Sequence, residues 1–247
     1  MEKVKISAVS YLNTTPFIYG IENSTPLLQA VDLSKDMPAE CARKLLHGEV
    51  DLGLVPVAII PLLKESHIVS DYCIGANGEV NTVLLLSDVE LNKIETIYLD
   101  YQSRTSVALC QVLCRELWKI EPEFKPAKPG FENQLNRTSA GVIIGDRTFH
   151  LGKEYAFRFD LSAEWKKLTG LPFVFAAWVA NKKLDSGFIE LFNSSLAYGL
   201  SHIDDAIASS NQQSISASQL KEYLTQDIQF DLDAEKRKAM KLFLSKL

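Results

Sequence analysis

Two apolar runs limit how this chain can fold. NTVLLLS (81–87) and PFVFAAWV (172–179) each suit a strand buried on both faces, and they bracket a block of about 90 residues with strands and helices of its own. If both runs pass between lobes, the middle block is a lobe inserted into the other. The expected division is residues 1–84 with 177–247 in a discontinuous first lobe and 85–176 in an inserted second. The ligand cleft would lie where the chain crosses. At 247 residues the chain suits one or two domains. Strands alternating with helices predict α/β layers with largely parallel sheets.

Local signals fill in the frame. VKISAV, DLGLVPV, IVSDYCIGA, IYLD and AGVIIGD read as strands. DMPAECARKLLHG reads as a helix with Asp36 as its cap, Pro38 in its first turn and Gly48 at its end. AIIPLLKES predicts a helical turn or two. TSVALCQVLCRELW is the clearest helix, with Val107, Cys110, Cys114 and Leu117 recurring on one face. EPEFKPAKPG, with three prolines in ten residues, predicts an irregular or extended connection. LSAEWKKLTG predicts a helix that stops at Gly170. From Gly187 onward the pattern reads as wholly helical.

Four strand-like runs end in small or polar residues: SYLN (10–13), DLGLVP (51–56), DYQSRTS (100–106) and GDRTF (145–149). Ligands of open α/β sheets sit beyond the carboxyl ends of strands, so these loops are candidates to line a cleft. Ser10, Tyr11 and Asn13 would face the ligand. In SRTS, Ser103 can cap the next helix, with Arg104, Thr105 and Ser106 in its first turn. Free N–H groups and hydroxyls there suit a carboxylate or phosphate, and plain helix capping accounts for the same residues. Asn81 and Thr82 stand at the edge of the first crossover run, beside an Asn77-Gly78 turn signal. Gly145 and Asp146 come from the fourth loop. Asp146 either meets an arginine or caps a helix.

Composition closes off other classes. The net charge of −5 argues against a nucleic-acid partner, and no window approaches the roughly 18 apolar residues of a membrane span. The start, MEKVKISAVSYLN, lacks an apolar core of signal-peptide length, which leads to the expectation of a cytoplasmic protein. Cys41, Cys73, Cys110 and Cys114 form no Cys-x-x-Cys pair, and the four histidines are scattered, so no metal site is expected and the thiols read as buried and reduced. There is no nucleophile elbow, P-loop or dinucleotide fingerprint. The residues alone lead to a two-lobed protein that binds a small anion, and leave open whether it is an enzyme.

Taken together, ISAVSYLNTTPF, DLGLVPVAIIP, SRTSVAL, AGVIIGDRTF and DLSAEWKKLTGLPFVFAAWVA closely resemble the chorismate dehydratases of the futalosine route to menaquinone, from near residue 5 to about residue 181. The resemblance implies a two-lobed α/β fold similar to type II periplasmic solute-binding proteins, with a ligand cleft between lobes joined by two crossover strands. It implies a lyase without cofactor that converts chorismate to 3-[(1-carboxyvinyl)oxy]benzoate and water. Carried over by position, Asn13 is the candidate catalytic residue. Ser10 and Tyr11 line the same pocket, and Val55 and Pro56 shape its wall. Thr82, Ser103, Arg104, Thr105 and Ser106 hold carboxylates. GANGEVNTV departs from the family pattern, with Glu79 and Asn81 where relatives more often carry a Gly-Pro-type turn and another polar residue. A sibling enzyme of the same fold acts on a cyclic futalosine derivative and lacks SYLN at its start. The rival readings are that sibling and a non-enzymatic solute-binding protein. The sequence leaves the oligomeric state open.

Overall fold

The computed structural model of the protein describes residues 3–210 and 214–247. The chain runs β1 (Val4–Val9), α1 (Thr15–Glu22), α2 (Thr25–Ala30), β2 (Val31–Asp36), α3 (Pro38–Leu46), β3 (Leu52–Pro56), β4 (His67–Ala76), β5 (Val83–Ser87), β6 (Thr96–Leu99), α4 (Thr105–Leu113), β7 (Glu123–Pro126) and β8 (Ser139–Ile144). It continues through β9 (Phe157–Asp160), α5 (Leu161–Thr169), β10 (Phe173–Ala180), α6 (Ser186–Ser201), α7 (Ile203–Ser209), α8 (Ala217–Glu222), β11 (Gln229–Asp231) and α9 (Ala234–Leu244).

The strands form two sheets. One has the order β11-β4-β10-β3-β1-β2, the other β7-β6-β8-β5-β9. The chain leaves the first sheet after β4, enters the second as β5, and returns as β10. β5 and β10 each lie wholly within one sheet, so the crossings are the short segments 77–82 and 170–172.

The expectation of largely parallel sheets does not hold. β1 runs parallel to β2 and β3, and β6 parallel to β7 and β8, while β10, β4, β11, β5 and β9 pair antiparallel. Helical crossovers keep strands parallel within a unit. β5 and β10 arrive from the other sheet and run against their neighbours.

Burial explains the order of the layers. β3 and β5 are buried along their whole length, and β10 almost so. Phe17 of α1, Trp178 of β10 and Phe192 of α6 meet edge to face, with centroids 6.0 and 4.9 Å apart. Such pairs add about 0.5–1.5 kcal/mol each beyond area burial. Trp165, Phe173 and Phe243 repeat the arrangement at 5.0–5.9 Å, and so dock α9 where the chain returns from the second sheet.

α1 packs against α6 with unusual closeness. Gly20 and Gly199 face each other, and a Cβ on Gly199 would overlap the Pro16 carbonyl oxygen and lie 2.8 Å from the Gly20 nitrogen. The buried stripes Phe17-Gly20-Ile21 and Phe192-Ser195-Leu196-Gly199 follow helical spacing, so these glycines are the points where the backbones approach.

Two local expectations are corrected. Asp36 does not cap α3, where Met37 holds the cap position without a side-chain bond. Asp36 instead accepts from Ser7 Oγ, Ser34 Oγ and Lys44 Nζ, each at 2.7 Å, and these donors outcompete the helix end. The stretch from Gly187 onward is not wholly helical: β11 adds an edge strand there, and residues 211–213 lie outside the described residues. EPEFKPAKPG is extended, as expected, and four of its residues also pair as β7. The helix stop signals at Gly48 and Gly170 hold. The two glycines take left-handed φ of 71° and 74° at their helix ends, and all four cysteines are free and buried. Among the described residues no helix is long and apolar enough to cross a membrane.

Candidate active site

The ends of β1, β3 and β8, the start of α4 and the 77–82 crossing converge on one cavity. Its free volume is about 70 Å³, below the roughly 300–1,000 Å³ usual for small-molecule sites, so the walls stand close together. Tyr11, Asn13, Pro56, Thr82, Ser103, Thr105, Ser106 and Gly145 all line it. Four other sequence candidates lie outside the lining. Ser10 is exposed, with its N–H donated to the Asp36 carbonyl. Val55 is fully buried in β3. Arg104 is exposed at the cap position of α4, which begins one residue later than the motif suggested. Asp146 sits behind the wall, its carboxylate accepting the Leu12 N–H at 3.2 and 3.3 Å.

Local chemistry shapes each loop. Thr14 Oγ1 donates toward the Val9 and Tyr11 carbonyls (2.6 and 2.7 Å), which tightens the SYLNT turn and presents Asn13. Ser103 Oγ accepts the Ser106 N–H at 3.0 Å, closing the first turn of α4. Asp100 accepts from the N–H groups of Gln102 (2.9 Å) and Ile144 (3.1 Å) and pairs with Arg147, so it ties the DYQSR turn to the end of β8.

Contacts between the two groups of loops hold the cavity shut on one side. The Tyr11 hydroxyl donates to Gln102 Oε1 at 2.6 Å, the Ala58 N–H donates to Thr105 Oγ1 at 3.2 Å, and Asp146 takes the Leu12 N–H. Gly145 is required where it stands. Its φ is 66°, and a Cβ would lie 2.7 Å from the Tyr11 ring.

The lining carries no Asp, Glu, His, Lys or Arg. Burial pushes the Tyr11 and Tyr223 phenols well above the ordinary tyrosine range, so both remain neutral hydroxyls. Among the described residues no group of three or more His, Cys, Asp or Glu could hold a metal ion. The site therefore offers neutral donors and acceptors. The partial positive charge of the α4 N-terminus, about half an elementary charge, is the main attraction for an anion.

Sequence reasoning missed Tyr223. It follows α8 in a π-helical turn (Tyr223–Asp227), and its hydroxyl lies 2.9 Å from Thr82 Oγ1 and 3.4 Å from Asn13 Nδ2. A signal existed: Leu220, Tyr223 and Leu224 share one helical face, and a tyrosine on a buried face needs a partner for its hydroxyl.

Asp146 gives a pH prediction. Burial pushes its carboxyl up to about 6, although the Leu12 N–H and nearby His150 pull it down. The folded state thus binds this proton more tightly than the ordinary value of 3.8. Stability from this group is fully present below the ordinary value and is lost as pH rises through about 6. Asp146→Asn removes the titration and keeps an acceptor for Leu12. The variant is expected to gain stability relative to the parent between about pH 4 and 7, read by urea unfolding at both ends. A difference independent of pH would refute the assignment.

The family profile described as menaquinone biosynthesis matches residues 4–247. The chain belongs to the menaquinone biosynthesis family. The chorismate dehydratase of Thermus thermophilus is 30% identical over 197 residues, which span 68% of this chain and 71% of that one. Solved structures similar to this menaquinone biosynthesis family member show the fold. A protein from Archaeoglobus fulgidus superposes with a TM-score of 0.74 at 14% identity, covering 99% of this chain and 96% of its own. A Candida albicans protein with the generic periplasmic binding protein fold gives 0.61 at 16% identity, covering 98% and 90%. The aliphatic sulphonate binding protein SsuA of Escherichia coli gives 0.59 at 13% identity, covering 99% and 92%. The fold is two-lobed α/β and periplasmic-binding-protein-like, as the sequence resemblance implied.

Proposed function

We propose that this chain is a cytoplasmic lyase that dehydrates chorismate to 3-[(1-carboxyvinyl)oxy]benzoate. The observation that carries the reading is that eight of the candidate residues, Asn13 among them, line one cavity between the two sheets. The likeness to a named chorismate dehydratase supports it.

The ring carboxylate lies at the start of α4, against the hydroxyls of Ser103, Thr105 and Ser106. The hydrogen on the ether-bearing ring carbon is acidified through conjugation with that carboxylate. Its removal and loss of the neighbouring hydroxyl leave an aromatic ring. With no carboxylate or imidazole in the lining, the base is the substrate's own enolpyruvyl carboxylate, held against the ring. Asn13 orients that group or hydrogen-bonds the departing hydroxyl. Positioning of this kind can lower a barrier by roughly 7–11 kcal/mol. Donors at the helix end steady charge that builds on the ring carboxylate. The segments 77–82 and 170–172 serve as the hinge for closure, which excludes water and strengthens these contacts.

The test is to incubate the protein with chorismate and follow ultraviolet absorbance and product mass. The expected result is catalytic conversion to the benzoate. Binding without conversion would make the chain a solute-binding protein. Chorismate left untouched while the cyclic futalosine derivative is consumed would make it the sibling enzyme.

A further inference from the structure

Tyr223 is 2% exposed, and its ring is fixed edge-on to Phe149 at 5.5 Å and 82°. Its hydroxyl joins two segments far apart in sequence: the β1–α1 connection through Asn13, and the first crossing through Thr82. The donors can be counted. Asn13 Nδ2 donates to the phenol oxygen, and Thr82 Oγ1 donates to the Val80 carbonyl at 3.3 Å. Between Tyr223 and Thr82, 2.9 Å apart, either hydroxyl can donate; when Thr82 donates to Val80, the Tyr223 O–H goes to Thr82 Oγ1. The bond to Tyr223 turns the amino end of the Asn13 amide toward the phenol and leaves Oδ1 and the second N–H for the cavity.

We propose that Tyr223 is a positioning residue that fixes the amide orientation of Asn13 and the hydroxyl of Thr82, so that the C-terminal segment completes the site. The proposal rests on the dehydration reading for its kinetic test. Tyr223 lies outside the cavity lining, and its effect passes through the two residues that line it. Without the phenol oxygen, the Asn13 amide can rotate and Thr82 loses its hydroxyl partner.

Tyr223→Phe keeps the ring and removes one atom. The expected result is a kcat lower by about tenfold to a hundredfold, with KM within about threefold of the parent. In an Asn13→Ala background the same change should alter kcat by less than about threefold, because the two act as one unit. A kcat within about twofold of the parent, or an undiminished effect in the Asn13→Ala background, overturns the proposal. A measurement on the unaltered protein does not depend on the variant folding. In its nuclear magnetic resonance spectrum the Tyr223 hydroxyl proton should exchange slowly with water and show a cross-peak to the Asn13 side-chain amide, a peak missing in Asn13→Ala. A missing cross-peak in the unaltered protein also overturns the proposal. If the unaltered protein leaves chorismate unchanged, the proposed reaction fails, and the cross-peak alone decides the role of Tyr223.

Discussion

Asn13→Ala is expected to lower chorismate dehydration about a hundredfold to a thousandfold while leaving the fold intact, the range seen when one preorganised donor is removed from a site. The size follows from the lining. With no charged side chain facing the cavity, few groups can direct the enolpyruvyl carboxylate or the departing hydroxyl, and Asn13 carries both a donor and an acceptor. The fold should survive because Thr14, not Asn13, holds the turn through its bonds to the Val9 and Tyr11 carbonyls. Asn13 itself makes one long bond, to Tyr223. Product formation by chromatography and the thermal transition should be measured on the same preparation. Turnover near that of the parent would remove Asn13 from the mechanism.

Gly199→Ala is expected to destabilise the protein by about 3 kcal/mol, the upper end for overpacking. The added methyl meets the Pro16 carbonyl and the Gly20 nitrogen, which are backbone atoms of a neighbouring helix and cannot rotate aside. At this chain length the loss corresponds to a melting temperature lower by roughly 6–12 °C. Gly20→Ala should behave alike, since its Cβ overlaps the Ser195 carbonyl oxygen. Calorimetry measures both. A loss below about 1 kcal/mol would mean that α1 and α6 part easily, against the close packing described. α1 begins two residues after Asn13, so such parting would also disturb the site.

How far the sequence could be read depended on where each strand lies. Every interior strand (β1, β3, β4, β10, β5, β6 and β8) was legible as an apolar run. The four edge strands were not. β2, β7, β9 and β11 carry stretches such as VDLSKD and QFD, whose exposed polar residues hide the strand period. Their extended form comes from pairing with a neighbour, which no local pattern encodes. The polar residues of the cavity were largely legible, because strand-end loops and helix starts carry their own small polar signatures, whereas apolar wall residues such as Ile74, Phe175 and Ile228 were not. Arg104 reads as part of the same motif, yet its backbone falls one position before α4 and its side chain is exposed. Tyr223 escaped because it lies 141 and 210 residues in sequence from Thr82 and Asn13, its hydrogen-bond partners. Asp36 shows the reverse problem. Its capping signal was sound in isolation, but a lysine and two hydroxyls from elsewhere claimed the carboxylate first.

The uncharged cavity wall has a consequence for the proposed reaction. Chorismate and the benzoate that it yields carry the same two negative charges, so a wall of amides, hydroxyls and methyl groups cannot discriminate between them ionically. Discrimination falls to ring shape, a puckered diene against a flat arene. If the chain carries out the proposed dehydration, product release is expected to depend on that change of shape and on opening of the cavity, not on charge repulsion.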